Sequence, residues 1–163
     1  MASILRGLNA ISARLARVLT VISLVVTALI IPAEVAGRYL LGSVPAWSGE
    51  AAVFSLVWLS MMGAAAGFDR GYTIALTVIR DRLPPAWSRP TRLFAETFLL
   101  VFLAVLTCYG AEQTLWNWRQ TSPAMGIPMA VPYAALPVGF AMMLLSLAEG
   151  IITSRAPGEG RNR

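Results

Sequence analysis

The sequence contains no histidine, no lysine and only one cysteine, Cys108. The absence of histidine excludes histidine-ligated haem, histidine-based zinc sites and any catalytic triad that uses an imidazole as its base. One cysteine allows neither an intrachain disulfide nor a cysteine-based metal site. We therefore expect no metal and no cofactor, and we expect the protein to be neither an enzyme nor a respiratory membrane anchor.

Charge is also scarce, since 13% of the residues are charged and 57% are hydrophobic. A soluble domain carries about twice that share of charge. Four long apolar runs cover residues 18–41, 47–68, 93–113 and 131–152. Each is roughly 20 residues long, which is enough for a helix to cross the ~30 Å hydrocarbon core of a bilayer. The sequence predicts an all-α membrane protein with four transmembrane helices, in which residues 1–163 form a single integral membrane domain.

The basic residues are all arginines, and eleven of the thirteen fall on one side of the membrane if the four runs alternate in direction. These eleven are Arg6, Arg14, Arg17, Arg70, Arg80, Arg82, Arg89, Arg92, Arg155, Arg161 and Arg163. Only Arg38 and Arg119 fall on the opposite side. Because cytoplasmic loops carry the excess of basic residues, both termini are predicted to be cytoplasmic. Anionic membrane lipids, and not nucleic acid, are then the expected counter-charge to the net charge of +5.

Two segments that mix polar and apolar residues flank the spans on the side predicted to be cytoplasmic. Residues 1–17 and Tyr72–Leu83 are each predicted to form a helical extension or an amphipathic helix at the lipid surface. Pro84 and Pro85 should end the second segment. On the outer side, the three prolines in Thr121–Pro132 predict an extended, non-helical connection.

Charged residues near the ends of the spans are the first candidates for functional contacts. Glu34 and Arg38 are spaced i and i+4, which favours an ion pair at the outer boundary, although the pair could instead meet a partner subunit. Glu50 lies in the first turn of the second helix, where a negative charge complements the helix dipole. Arg92 and Glu96 repeat the i, i+4 spacing near the inner face.

A second kind of candidate is the small-residue face of the second helix. Gly63 and Gly67 form a GxxxG pattern, which allows another helix to approach closely within lipid. The pattern fits packing inside the four-helix bundle, and it also fits docking of a second protein. The sequence leaves both interpretations open.

Several short motifs in a fixed order resemble a known family. They are Arg38-Tyr39, Trp47 with Glu50, Trp58 before Gly63-Ala64, Arg70 before Ile74, Leu83-Pro84, the run from Ser122 to Pro128, Tyr133, and Leu136-Pro137-Val138-Gly139. Over about residues 18–150 the chain resembles the small membrane subunit, of the DctQ type, of tripartite ATP-independent periplasmic (TRAP) transporters. It departs from the family at Tyr72-Thr73, near which many members have a histidine.

The resemblance implies a role in a three-part transporter. A periplasmic substrate-binding protein captures an organic anion such as a carboxylate, and a large membrane subunit moves it inward with a sodium gradient. The small subunit supports the large one and helps to dock the binding protein, without catalysis. The partner-interface candidates on this chain are Gly63, Gly67, Glu34, Arg38, Glu50 and Arg119. The alternative is a self-sufficient four-helix multidrug exporter that acts as a homodimer, with Glu34 as its membrane carboxylate.

The predicted orientation can be tested with reporter fusions. A fusion at residues 80–89 should show cytoplasmic reporter activity, because the connection between the second and third spans carries five arginines, Arg70, Arg80, Arg82, Arg89 and Arg92. A fusion at Arg119 should show periplasmic activity. Periplasmic activity at residues 80–89 would refute the predicted orientation.

Overall fold

The computed structural model describes residues 2–82 and 84–155, and the predictions made for Leu83, Arg161 and Arg163 lie outside these residues. Five α-helices and two short turns of other helix types make up the described chain. In order these are α1 (Ala2–Ala36), a π-helical turn (Gly37–Leu41), α2 (Ala46–Arg82), α3 (Pro85–Trp116), a 3₁₀ turn (Asn117–Arg119), α4 (Ala130–Tyr133) and α5 (Ala135–Arg155).

The four predicted membrane helices are confirmed. Four helical segments are long and apolar enough to cross a membrane, namely Leu5–Leu41, Ala46–Phe68, Trp87–Arg119 and Ala130–Ile152. The first and third begin earlier than the predicted residues 18 and 93. The 37 residues of α2 measure about 55 Å at 1.5 Å per residue, which exceeds the ~30 Å hydrocarbon core. Arginine does not break a helix, so the charges that bounded the predicted runs do not mark helix ends.

The segments at residues 1–17 and Tyr72–Leu83 are continuous with the membrane helices. Helix α1 begins at Ala2, and α2 continues through Tyr72 as far as Arg82. The prediction of helical extensions is therefore confirmed over the described part of both segments. Helix α3 begins at Pro85, which is tolerated in a first helical turn because the N–H that proline lacks has no partner there.

The connection before the last span is partly helical, in contrast to the prediction for Thr121–Pro132. One helical turn, α4, begins at Ala130 and includes Pro132, which a first turn accommodates. Ala134 separates this turn from α5. Pro137, in the first turn of α5, cannot donate to the carbonyl of Tyr133, which accounts for the break.

Helices α2 and α5 lie at the centre of the packing, since each contacts the other three long helices. Helix α1 packs chiefly on α2, whereas α3 packs chiefly on α5, and no contact joins α1 to α3 within the described residues. The largest fully buried side chains are Met62 and Leu147. Helices α1 and α3 therefore lie at the periphery of the bundle, and each packs on α2 and α5.

Two glycines allow helices to approach closely at α5. A Cβ atom on Gly139 would lie 2.9 Å from Met61 Cε, 3.2 Å from Met61 Cβ and 3.3 Å from the Met61 carbonyl oxygen. A Cβ atom on Gly110 would lie 3.1 Å from Pro137 N. A larger residue at either position would therefore require a neighbouring helix to shift, in the pair α2 with α5 or the pair α3 with α5.

Most of the apolar surface of the spans is left uncovered by the chain itself. In the most apolar window of each span, between 6% and 28% of the residues are buried. On α3, Phe94, Phe98 and Phe102 stack in series with ring centroids 6.3 and 6.0 Å apart, and all three are exposed. Lipid or other membrane subunits must cover these faces.

The close approach at Gly139 predicts that Gly139→Ala destabilises the bundle. The added methyl group would meet the backbone and Cβ of Met61, which cannot rotate away, and overpacking of this kind costs about 1–3 kcal/mol. Gly67→Ala is the matched control, because a Cβ there meets nothing within 4 Å. Thermal unfolding in detergent should show a lower midpoint for Gly139→Ala alone. Equal midpoints for the two variants would contradict the packing at α5.

Candidate functional site

The arginine distribution predicts which end of the bundle is periplasmic, and we call this end outer and the opposite end inner. At the outer end, the carboxylate of Glu50 binds a distant loop. Ser122 donates its hydroxyl to Glu50, and the backbone N–H groups of Ala124 and Met125 donate to the two carboxylate oxygens at 3.0 and 2.9 Å. Glu50 is placed for this by its position one turn after α2 begins at Ala46. The first turn itself, where Glu50 was predicted to lie, contains no acidic residue, because the helix begins earlier than predicted. Charge-assisted bonds of this kind are roughly twice as strong as bonds between neutral groups. Glu50 therefore ties the start of α2 to the connection between α3 and α4.

The loop that Glu50 binds, residues 120–129, is also hydrogen-bonded within itself. The Ser122 N–H donates to Ile127 O at 2.9 Å, and the Met129 N–H donates to Gln120 O at 2.7 Å. The Gly126 N–H donates to Ser122 O at 3.0 Å, and Gly126 has a φ of +68°, which glycine adopts without steric cost. We call this segment the outer loop. Its two limbs pair with each other, and its tip is turned by a glycine.

Two other predicted residues lie at the same outer end. Arg38 Nη2 donates to Glu34 Oε1 at 3.1 Å, which confirms the predicted ion pair. The Arg38 side chain is exposed, and a Cβ on Gly49 of α2 would lie 3.9 Å from Glu34 Oε1. Arg119 lies in the 3₁₀ turn at the end of α3, exposed to solvent.

At the inner end, a buried polar cluster joins α2 to α3. Glu96 is 2% exposed, and its Oε1 accepts from Arg92 Nε at 2.7 Å and from the Tyr72 hydroxyl at 3.0 Å. The Arg92–Glu96 pair is the one predicted from the i, i+4 spacing. Burial raises the pKa of the Tyr72 phenol far above its ordinary value, and the hydrogen bond to Glu96 adds to this effect. Tyr72 therefore keeps its proton and acts as the donor.

A second inner contact joins α1 to α5. The side-chain amide of Asn9 donates to Glu149, 140 residues further along the chain. Close by, a Cβ on Gly150 would lie 3.2 Å from the Tyr72 ring, so α5 also packs tightly on the inner part of α2. The inner ends of all four long helices are therefore linked by polar or close van der Waals contacts.

The two glycines of the GxxxG pattern have different surroundings. A Cβ on Gly63 would lie 3.7 Å from Thr20 Cγ2 of α1, an ordinary contact distance, so Gly63 faces α1 within the bundle. A Cβ on Gly67 would meet nothing within 4 Å, and Gly67 is exposed. Of this pair, only Gly67 is open to a second protein.

The sequence matches one known protein family over most of its length. The family described as "Tripartite ATP-independent periplasmic transporters, DctQ component" matches residues 27–156. The chain belongs to this DctQ family. It is accordingly a component of a TRAP transporter and not an enzyme, and with its four apolar helices it is a multi-pass protein of the bacterial inner membrane.

Individual relatives carry names that agree with this assignment. The C4-dicarboxylate TRAP transporter small permease protein DctQ of Vibrio cholerae is 28% identical over 155 residues, which covers 76% of this chain and 65% of the relative. The protein of the same name from Rhodobacter capsulatus is 28% identical over 99 residues, covering 60% and 44%. The isethionate TRAP transporter permease protein DctMQ of Oleidesulfovibrio alaskensis is 26% identical over 107 residues, covering 64% and 17%. This chain thus spans less than two thirds of each of these relatives.

The sequence predicted the ion pairs between residues four apart but not the contacts between residues that are distant in the chain. Nothing in the sequence links Glu50 to Ser122, or Asn9 to Glu149, because these residues are far apart in the chain. The one available signal for Glu50 was a carboxylate in a first helical turn, which was interpreted as a charge that complements the helix dipole. The motif from Ser122 to Pro128, noted only as part of a family resemblance, is the segment that Glu50 binds.

The inner cluster predicts that the Tyr72 hydroxyl stabilises the fold. Tyr72→Phe keeps the ring, which stacks on Phe68 with centroids 6.2 Å apart, but removes a donor to the buried Glu96. Loss of a hydrogen bond to a buried charged group costs about 1–3 kcal/mol. Unfolding in detergent with increasing denaturant should show this loss of stability.

Tyr109→Phe is the control for this measurement, since Tyr109 is 67% exposed. This variant also loses a hydroxyl, but its unfolding midpoint should equal that of the unchanged chain within experimental error. Equal stability of the Tyr72 and Tyr109 variants would show that the Tyr72–Glu96 bond does not hold α2 to α3.

Proposed function

We propose that this chain is the small supporting subunit of a TRAP transporter, which holds a large membrane subunit and helps to dock a periplasmic substrate-binding protein. In this proposal the large subunit carries the substrate and sodium sites. The termini of the small subunit are cytoplasmic, and the outer loop lies on the periplasmic side.

The use of the carboxylates within the bundle is the observation that carries this proposal. Glu34, Glu50, Glu96 and Glu149 each accept a hydrogen bond from another group of the same chain. A proton- or ion-coupled pathway places an ionisable group where substrate or ion can reach it. Here these four groups are engaged in holding helices and loops together, as a support requires.

The uncovered apolar surface supports a partner within the membrane. A chain whose most apolar span windows are at most 28% buried offers extensive helix faces to another membrane protein, with lipid covering the remainder. Exposed Gly67 is the candidate point of close helix contact among the predicted interface residues, because a small residue lets a second helix approach within lipid. Gly63 faces α1 and is assigned to the packing of the bundle itself.

The substrate is proposed only by class. Relatives are named for C4-dicarboxylates and isethionate, and an ectoine TRAP transporter small permease protein, TeaB of Halomonas elongata, is 26% identical over 110 residues. Two of these three substrates are small organic anions. We propose a small organic anion, such as a carboxylate, taken up together with sodium.

The alternative, a self-sufficient exporter, is not favoured by the family match or by the position of Glu34. That carboxylate is bonded to Arg38 at 3.1 Å, so it is not the unpaired membrane carboxylate such an exporter needs. The chain expressed alone is expected to confer no drug resistance. Resistance from this chain alone would favour the exporter.

Gly67→Leu tests the supporting role. A leucine there should hinder the approach of a partner helix and reduce co-purification with the large subunit and uptake. It should leave the unfolding midpoint of the isolated chain unchanged, because the position is open. Co-expression with the large subunit, followed by affinity purification through a tag on this chain, measures the yield. Unchanged yield and uptake would remove Gly67 from the interface.

A further inference from the structure

We infer that Glu50 is a positioning residue that holds the tip of the outer loop, residues 123–126, as a preformed contact surface for the soluble periplasmic binding protein. This inference rests on the proposed function. It adds a role for one side chain and a location for the contact, and it is carried by the geometry around the Glu50 carboxylate.

The first step in the argument is that Glu50 fixes a backbone conformation. Its two oxygens accept from two successive N–H groups, those of Ala124 and Met125, and from the Ser122 hydroxyl. Two successive N–H groups that point to the same side form a site for an anion. We call the hydrogen bonds from Ser122, Ala124 and Met125 to Glu50 the clamp. Ser122 is 3% exposed, so its end of the clamp is enclosed by the protein. The Glu50 carboxylate therefore holds the turn against the start of α2.

The second step is that the same turn is fixed from its two ends. The limbs are joined by an isolated bridge between Thr121 and Pro128. Beyond the bridge, the Trp58 indole of α2 donates to Val131 O at 3.2 Å. The outer loop is thus fastened to α2 at Glu50, and α4, which follows the loop, is fastened to α2 at Trp58.

The third step concerns what the clamp leaves exposed. Pro123, Ala124, Met125 and Gly126 are all exposed, and Met125 is 37% exposed although its N–H is bound. The tip is small, uncharged and partly apolar. It follows the outer end of α3, on the side that the arginine distribution assigns to the periplasm. A fixed tip of this composition suits contact with the surface of a folded soluble protein.

The fourth step is energetic. A partner that binds a preformed loop does not lose affinity to the ordering of that loop. Lipid contact requires no single loop conformation, whereas recognition by a folded protein does. Release of the turn should therefore weaken docking of the binding protein specifically.

Glu50→Gln is the central variant. Glutamine keeps the length of the side chain, but it replaces one acceptor oxygen with an NH₂ donor that faces other donors. Glu112→Gln is the matched control, because Glu112 is an exposed carboxylate near the outer end of α3 and is not part of the clamp. The experiment uses the complex of this chain with the large subunit in proteoliposomes, with purified binding protein added from outside.

Three quantities are measured for each variant: amide hydrogen exchange of residues 121–129, yield of co-purified large subunit, and uptake rate against binding-protein concentration. Glu50→Gln should speed exchange and raise the half-saturating concentration of binding protein about tenfold. The yield and the uptake rate at saturation should stay unchanged. Glu112→Gln should match the unchanged chain in all three.

Met125→Glu is a second variant that leaves the backbone bonds to Glu50 in place. It places a charge on the proposed contact surface and should also raise the half-saturating concentration, without faster exchange. Faster exchange in Glu50→Gln with unchanged half-saturation would overturn the inference, as would loss of the large subunit in either variant. Failure of the unchanged chain to co-purify with the large subunit would instead refute the proposed function, and the inference with it.

Discussion

The structure depends on one constraint, which is that a polar group in or near the hydrocarbon core must find its partner inside the protein. For Glu50 and Glu149 the chain provides this partner by joining distant segments. Glu50 binds a loop more than 70 residues away, and Glu149 binds Asn9 near the start of the chain. In this structure these two carboxylates join segments of the fold that are far apart in the chain.

The second element of the account is the central position of α5. It contacts the other three long helices, and glycines at its contacts bring the backbones close together. Apolar attraction between helices is weak in lipid, so association depends on close packing and on hydrogen bonds. Both are present here, with Gly139 against Met61 and with Tyr72 donating to Glu96. A rigid bundle of this kind leaves its outer faces free for a larger membrane partner.

The helices and the ion pairs between residues four apart were predictable from the sequence, whereas the long-range contacts were not. Apolar runs of about 20 residues specify spans directly. The pairs Glu34–Arg38 and Arg92–Glu96 follow from helix geometry alone. In contrast, the partner of Glu50 depends on how α2 meets the loop after α3. The GxxxG pattern marked Gly63 and Gly67, yet the closest helix contacts lie at Gly110 and Gly139, outside that pattern, because the crossing of two helices selects the position.

The central claim is that four carboxylates, those of Glu34, Glu50, Glu96 and Glu149, support the transporter and take no part in moving ions. The most direct measurement is the sodium-to-substrate stoichiometry of the complete complex in proteoliposomes, with Glu34, Glu50, Glu96 and Glu149 replaced by glutamine one at a time. The account predicts the same stoichiometry for every variant that assembles, whatever the change in rate. A changed number of sodium ions per substrate in any of them would contradict it.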